Sequence, residues 1–178
     1  MFCEYCGADQ YEVVSWPHKC GSCGRVKYKN PIPVAIGMIP TTDGGLVLIK
    51  RKGGVASGLW AFPGGYMDIS DTNYQCAASR EIREETGLLI PESAWRMHSV
   101  ATPPSKETLC MFIISSLAVE PEQIKDVPPN GETEQMRIIY PSEVVEGFEL
   151  AFNLHTEALR GYYQLRSSAT SESSDWFG

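Results

Sequence analysis

Apolar positions along this chain fall into runs of two different periods. From Val34 the text reads VAIGMIP and then GLVLIKR, two apolar stretches rich in β-branched residues and separated by Asp43-Gly44-Gly45, which predicts two strands joined as a hairpin. A loop rich in glycine and proline follows, GGVASGLWAFPGGYMD. From about Thr72 to Thr86 the spacing turns helical, with Ala77, Ala78, Ile82 and the Cys76 sulfur expected on one side and Gly87 placed as a C-cap. The run LCMFIISSLAV, within about Met97 to Val119, predicts a buried strand, although periodicity leaves a buried helix open. Gln135 to Tyr140 predicts a further strand and Ser142 to Val145 a short helix. Ala151 to about Leu165 predicts a longer helix, with Phe152, His155, Leu159 and Tyr162 at helical spacing.

The two ends differ from this middle. Residues 1–30 are turn-rich and punctuated by cysteine, and Asn30-Pro31-Ile32-Pro33 cannot continue a helix, so a boundary is expected there. The last dozen residues, SSATSESSDWFG, are polar until Trp176-Phe177, which predicts a mobile tail over 167–178 and leaves 31–166 as the main domain. With 178 residues and 43% hydrophobic content the chain can bury a core. Its formal charge of -7 offers no general basic surface, which makes nucleic acid a weak candidate partner. No run approaches the roughly 18 to 20 apolar residues that span a bilayer, and the N-terminus lacks a basic segment followed by an apolar one. A soluble, cytoplasmic protein without a membrane partner is expected.

Four of the six cysteines form two matched pairs, Cys3-x2-Cys6 and Cys20-x2-Cys23, separated by 13 residues and each followed by glycine. Two such knuckles can set four thiolates tetrahedrally around one Zn2+, the glycines permitting the tight turn. Disulfides or a redox dithiol are the competing readings of the same residues. Four sulfurs leave no open coordination position, so the zinc is expected to be structural.

The chemistry concentrates in Pro63-Gly64-Gly65, a loop, and then AASREIREETGL. On a helix Glu81, Glu84 and Glu85 stand at i, i+3 and i+4, so three carboxylates project from one face. They are either solvated, with Arg80 and Arg83 as partners, or neutralised by divalent cations, and carboxylate oxygens suit Mg2+ or Mn2+.

The segment from Gly65 to Leu88 resembles the Nudix box, whose pattern is Gx5Ex7REUxEExGU with U apolar. REIREETGL matches the second half at every specified position, whereas the first half carries one extra residue and Asp71 where the leading Glu would fall. The resemblance implies an α+β fold, the Nudix α/β/α sandwich with a mixed sheet, here preceded by a zinc ribbon. It also implies metal-dependent hydrolysis of a diphosphate bridge in a small nucleotide substrate. Glu84 and Glu85 would be the main ligands of Mg2+ or Mn2+, Glu81 a ligand or the base, and a carbonyl near Gly64 or Gly65 a further ligand. Arg80 would orient a glutamate through a bidentate pair, and Asp71 would support the loop.

A base on a later loop is also part of the family pattern, and Glu132, Glu134 and Gln135 occupy that region, Glu134 being taken as the candidate. Lys50, Arg51 and Lys52 could approach substrate phosphates or be an ordinary exposed strand end. Trp60 and Phe62 are expected in the core, and His98 and His155 as packing residues. A cysteine ribbon, Tyr28-Lys29-Asn30-Pro31, and a final helix entered at Ala151-Phe152 resemble the group that includes FAD pyrophosphatases, which makes FAD the first substrate expectation. ADP-ribose is the alternative; NADH is disfavoured because SVATPPSKETLCMF lacks an SQPWPFP-like signature. A catalytically idle nucleotide sensor is the alternative of another class. The resemblance is compatible with a homodimer, and the ending Asp175-Trp176-Phe177-Gly178 resembles short acidic-aromatic peptides that engage a protein partner.

Overall fold

The computed structural model describes residues 2–9, 15–125 and 127–172. The chain divides into two compact units, Met1–Pro31 and Ile32–Gly178. Of the expected mobile tail over 167–178, residues 167–172 instead continue the last helix, and 173–178, with Trp176-Phe177, lie outside the described residues. Among the described residues no helix is long and apolar enough to cross a membrane.

The first unit is built on two knuckles and a two-stranded antiparallel sheet of β1 (His18–Lys19) and β2 (Val26–Lys27). Gly7 and Gly24, at φ 68 and 72, adopt the left-handed turn and return their N–H groups to the carbonyls of Cys3 and Cys20. Lys27 pairs with Glu4, and the Arg25 guanidinium lies 4.5 Å from the Tyr5 ring centroid.

Among its described residues the second unit carries seven strands in two sheets. One sheet has the order β6-β3-β8-β7, from β3 (Ile32–Met38), β6 (Gly64–Tyr66), β7 (Trp95–Ala101) and β8 (Thr108–Ser115). The other has the order β5-β4-β9, from β4 (Leu46–Arg51), β5 (Trp60–Ala61) and β9 (Thr133–Ile139). The first sheet is mixed, because β3 runs parallel to β8 and antiparallel to β6. This corrects the expected hairpin: β3 and β4 belong to different sheets and meet only at a corner, through the Pro40–Leu46 bridge and the Val47 N–H to the Ile39 carbonyl. The Met97–Val119 run likewise resolves into two antiparallel strands with a turn between them.

Neighbouring strand residues alternate between two cores, as the two-residue pleat requires. Ala35, Val47 and Ile113 face one cluster, closed by Ala77, Ala78 and Ile82 of helix α1 (Tyr74–Thr86). Ile36, Leu48 and Phe112 face the other, closed by Ala158, Leu159 and Tyr162 of helix α3 (Asn153–Glu172), which follows the short α2 (Pro141–Val145). The result is an α+β fold in which helices cover opposite faces of the sheets.

Helix α1 starts two residues later than the pattern predicts because Asn73, in extended conformation, caps it through the Cys76 N–H. It ends as expected: Gly87 at φ 75 returns its N–H to the Arg83 carbonyl. Cys76 does not join the apolar side; its sulfur lies 3.7 Å from the Asp71 carboxylate. Helix α3 begins at Asn153 rather than Ala151, whose N–H is bound to the Trp60 carbonyl.

Candidate active site

Glu81, Glu84 and Glu85 are brought against Gly64 and Gly65 because β6 packs beside α1. Gly64 sits at φ 145, and a Cβ there would lie 2.2 Å from the Ala35 carbonyl oxygen, so only glycine permits this approach of β6 to β3. At Gly65 a Cβ would lie 2.5 to 2.7 Å from the Glu81 carboxyl atoms, so the missing side chain is the space that the Glu81 carboxylate fills.

The three carboxylates take different protein partners. Glu85, only 4% exposed, accepts the Gly64 N–H at 2.6 Å. Glu81 accepts Arg80 Nη1 at 2.7 Å, and the more exposed Glu84 accepts the same nitrogen at 3.2 Å. Among the described residues only the N-terminal cysteines are already gathered as a metal-holding group. Burial pushes the Glu85 carboxyl up to about 8 against the lowering pull of the Gly64 N–H, with Glu81 and Glu132 adding to the rise. Burial likewise raises Glu81, in opposition to Arg80, and Glu84 and Glu132 add to it. A divalent cation beside such desolvated and like-charged carboxyls would favour their ionised form. Oxygen donors of this kind fit Mg2+ or Mn2+.

Arg80 makes its bidentate pair with Asp71, not with a glutamate. Asp71 accepts Nη2 at 2.9 Å and Nε at 3.3 Å, and also the Asp68 N–H at 2.8 Å, while Arg80 donates further to the Tyr66 carbonyl. Those bonds hold the Asp71 carboxyl below the usual range, Arg80 first among the causes. The shorter acid and the extra loop residue therefore still reach the helix.

Of the later-loop candidates, Glu132 is the one whose charge presses on both Glu81 and Glu85, while Glu134 is held by Lys50 at 3.0 Å. Lys52 donates to the Asn130 carbonyl, and Arg51 lies over the Phe152 ring and is close enough to lower the pKa of Glu85. Phe62 is buried and Trp60 packs against the same core. His155 is buried as a packing residue whose Nδ1 accepts the Phe62 N–H, and half-buried His98 lines a groove beside α3. Sequence reasoning missed Asn130, whose amide bridges the backbone of Glu84 and Glu85 to that of Glu132. Pro128-Pro129-Asn130-Gly131 signals a turn, but no local pattern names a partner 45 residues away.

In the N-terminal unit the sulfurs of Cys3 and Cys23, and of Cys6 and Cys20, lie 3.8 Å apart, and all four fall within 4.8 Å of one another. A tetrahedron with Zn–S near 2.3 Å has edges of about 3.8 Å. The N–H groups of Cys23 and Ser22 pull Cys20 down to about 6, toward the thiolate that binds metal. The quartet fits a zinc ribbon.

The model of the NUDIX domain matches residues 31–161. Among curated proteins, the chain is 43% identical over 56 residues to the ADP-ribose pyrophosphatase of Methanocaldococcus jannaschii, covering 32% of each chain. It is 31% identical over 106 residues to phosphatase NudJ of Escherichia coli K12, covering 58% of this chain and 66% of that one. The chain thus spans less than two thirds of the length of these relatives. Among solved structures, a NUDIX hydrolase from Nitrosomonas europaea superposes with TM-score 0.68 at 21% identity, covering 94% of this chain and 92% of that one. The NUDIX domain of Shewanella oneidensis NrtR, complexed with ADP ribose, gives 0.60 at 16%, covering 77% and 89%. At these identities the two structures speak to the fold.

Proposed function

From the premise that the chain belongs to the NUDIX family, we propose that it hydrolyses the diphosphate bridge of an ADP-linked nucleotide with the help of divalent cations. The observation that carries this is the Glu81–Glu84–Glu85 face of α1 set against Gly64-Gly65, with one carboxylate almost wholly buried and the Glu132 charge bearing on two of them. Mg2+ or Mn2+ held by Glu81, Glu84 and Glu85 would neutralise the diphosphate and lower the pKa of a bound water. Gly64 orients Glu85 through its N–H, and Arg80, itself clamped by Asp71, orients Glu81 and Glu84. Glu132 takes the proton of the attacking water, in preference to Glu134, which Lys50 engages. The water oxygen bonds to one phosphorus as the bridging P–O bond breaks, and the bridging oxygen leaves with the other phosphate. Two phosphate monoesters result. The full carboxylate set supports hydrolysis over nucleotide sensing alone.

ADP-ribose is favoured as substrate because the archaeal relative is named for it. FAD is retained as the second reading because the cysteine unit ahead of the domain matches the layout of the FAD group. Cys3, Cys6, Cys20 and Cys23 hold structural Zn2+. The test is incubation of the purified chain and Mg2+ or Mn2+ with ADP-ribose, FAD, NADH, NAD and diadenosine phosphates, followed by mass identification. AMP with ribose 5-phosphate, or AMP with FMN, is the expected outcome; a panel left intact by both metals overturns the proposal.

A further inference from the structure

A carboxamide has two N–H donors and two acceptor lone pairs, and few side chains use all four. Asn130 does. Its Nδ2 donates to the carbonyls of Glu84 at 3.1 Å and Glu85 at 2.9 Å, and its Oδ1 accepts the N–H groups of Glu132 at 2.9 Å and Thr133 at 2.8 Å. Its backbone N–H closes the turn on the Thr133 carbonyl, and Lys52 adds a second fastening by donating twice to the same segment: its Nζ reaches the Asn130 carbonyl at 3.0 Å and its N–H the Glu132 carbonyl at 2.7 Å.

The two carbonyls on the donor side belong to the last turn of α1, where helix geometry leaves backbone acceptors without intrahelical partners. They also belong to two of the three site glutamates. The two amides on the acceptor side begin at Glu132, the carboxylate that enters from outside the helix. One amide group therefore joins the backbones of Glu84 and Glu85 to that of Glu132 across more than 40 residues of sequence.

We propose that Asn130 is a positioning residue that fastens the Glu132 loop to the end of the glutamate helix and thereby sets where the Glu132 carboxylate stands in the reaction. This rests on the hydrolase reading above. A plain helix cap would need only the donor side, and a plain turn only the acceptor side; the joint use of both ties the loop carboxylate to the helix carboxylates. Asn130→Asp separates the halves, since it keeps an acceptor for the Glu132 and Thr133 amides but turns an oxygen toward the two helix carbonyls.

The experiment is a double-mutant cycle with Mg2+ and the best-cleaved substrate, using Asn130→Ala, Glu132→Gln and the pair, with kcat and KM read separately. Asn130→Ala is expected to lower kcat by about 10- to 100-fold, as loss of an orienting partner does, with KM nearly unchanged. In the Glu132→Gln background the same change lowers kcat by less than about twofold, because its effect passes through Glu132. Equal losses in both backgrounds overturn the proposal. Should Asn130→Ala be poorly folded, Asn130→Asp takes its place in the cycle with the same two outcomes. If the parent cleaves nothing, the hydrolase reading fails separately, and hydrogen exchange then decides the fastening. Loss of protection at the Glu132 and Thr133 amides in Asn130→Ala, with α1 loosened at its C-terminus in Asn130→Asp, supports it; unchanged exchange in both overturns it.

Discussion

Asp71 grips Arg80 along one edge of the guanidinium, Oδ2 to Nη2 at 2.9 Å and Oδ1 to Nε at 3.3 Å, and leaves Nη1 for Glu81 and Glu84. The Asp71 side chain is 3% exposed, so the pair is a fixed joint between the loop and α1 rather than a surface contact. Without the Asp71 charge, Arg80 keeps Glu81 and Glu84 as carboxylate partners but loses the joint that fixes where its guanidinium, and with it those two glutamates, stand. Asp71→Asn is expected to lower kcat about 10- to 100-fold. Asp71→Glu should not behave like the parent despite its charge, because the added methylene enters a filled site. Steady-state kinetics of the two variants, with circular dichroism as the check on folding, measures this; wild-type rates in Asp71→Asn contradict it.

The two glycines of the loop answer to different neighbours, so their alanine variants should part company. In Gly64→Ala the new carbon meets backbone of β3 at a φ that L-residues rarely adopt, and the thermal midpoint should fall by several degrees. In Gly65→Ala it meets the Glu81 carboxylate, the mobile end of a side chain, so the fold is kept and activity is lost. Differential scanning calorimetry beside a rate assay separates the two, and equal loss of stability in both would contradict the assignment.

His155 supplies a pH dependence of stability. Its ring is buried among Phe62, Phe112 and Phe152, its Nδ1 accepts the Phe62 N–H, and burial, helped by Arg51, pulls its pKa down to about 3. The unfolded histidine titrates near its ordinary value of 6.5. Between those values the unfolded chain holds a proton that the fold excludes. The contribution is therefore whole above pH 6.5 and declines as pH falls toward about 3, by at most about 1.4 kcal/mol per pH unit. His155→Gln should flatten the fall of the urea midpoint between pH 7 and 4.5; parallel slopes for parent and variant refute this.

Zinc removal should act on the N-terminal unit. Cys20→Ser, or a strong chelator, is expected to reduce bound zinc from one equivalent per chain to none and to collapse the amide signals of residues 15–30, since a segment of this size folds on its metal. The signals of the second unit, which has its own two cores, should persist. Metal analysis with heteronuclear NMR reads both, and a zinc-free unit with unchanged signals contradicts the assignment.

How much of this the sequence carried depends on how local each cause is. The α1 C-cap at Gly87, the one-sided glutamates and the cysteine knuckles follow from spacings of a few residues, and each stands where the pattern put it. The β3–β4 hairpin failed because Ile32–Met38 pairs in parallel with Thr108–Ser115, a partner more than 70 residues away that competes for the same edge. The turn at Asp43-Gly44-Gly45 was real, but it joins two sheets rather than two strands of one sheet. Asp71 in place of glutamate departs from the family pattern, and the spacing alone does not show the bidentate bond to Arg80 by which it still joins the loop to the helix. Glu132 and Asn130 were not separable from their neighbours by composition, since what distinguishes them is the distant backbone they meet.

The central claim is that the carboxylate face of α1 performs diphosphate hydrolysis, and the most direct measurement compares the parent with Glu85→Gln under Mg2+, following ADP-ribose by mass in water enriched in 18O. The account predicts AMP and ribose 5-phosphate from the parent, one of them carrying a single 18O, and a rate reduced about 10²- to 10³-fold in Glu85→Gln, the equivalent of several kcal/mol of lost metal-borne stabilisation. Equal rates for parent and variant, at equal folded content, would contradict it.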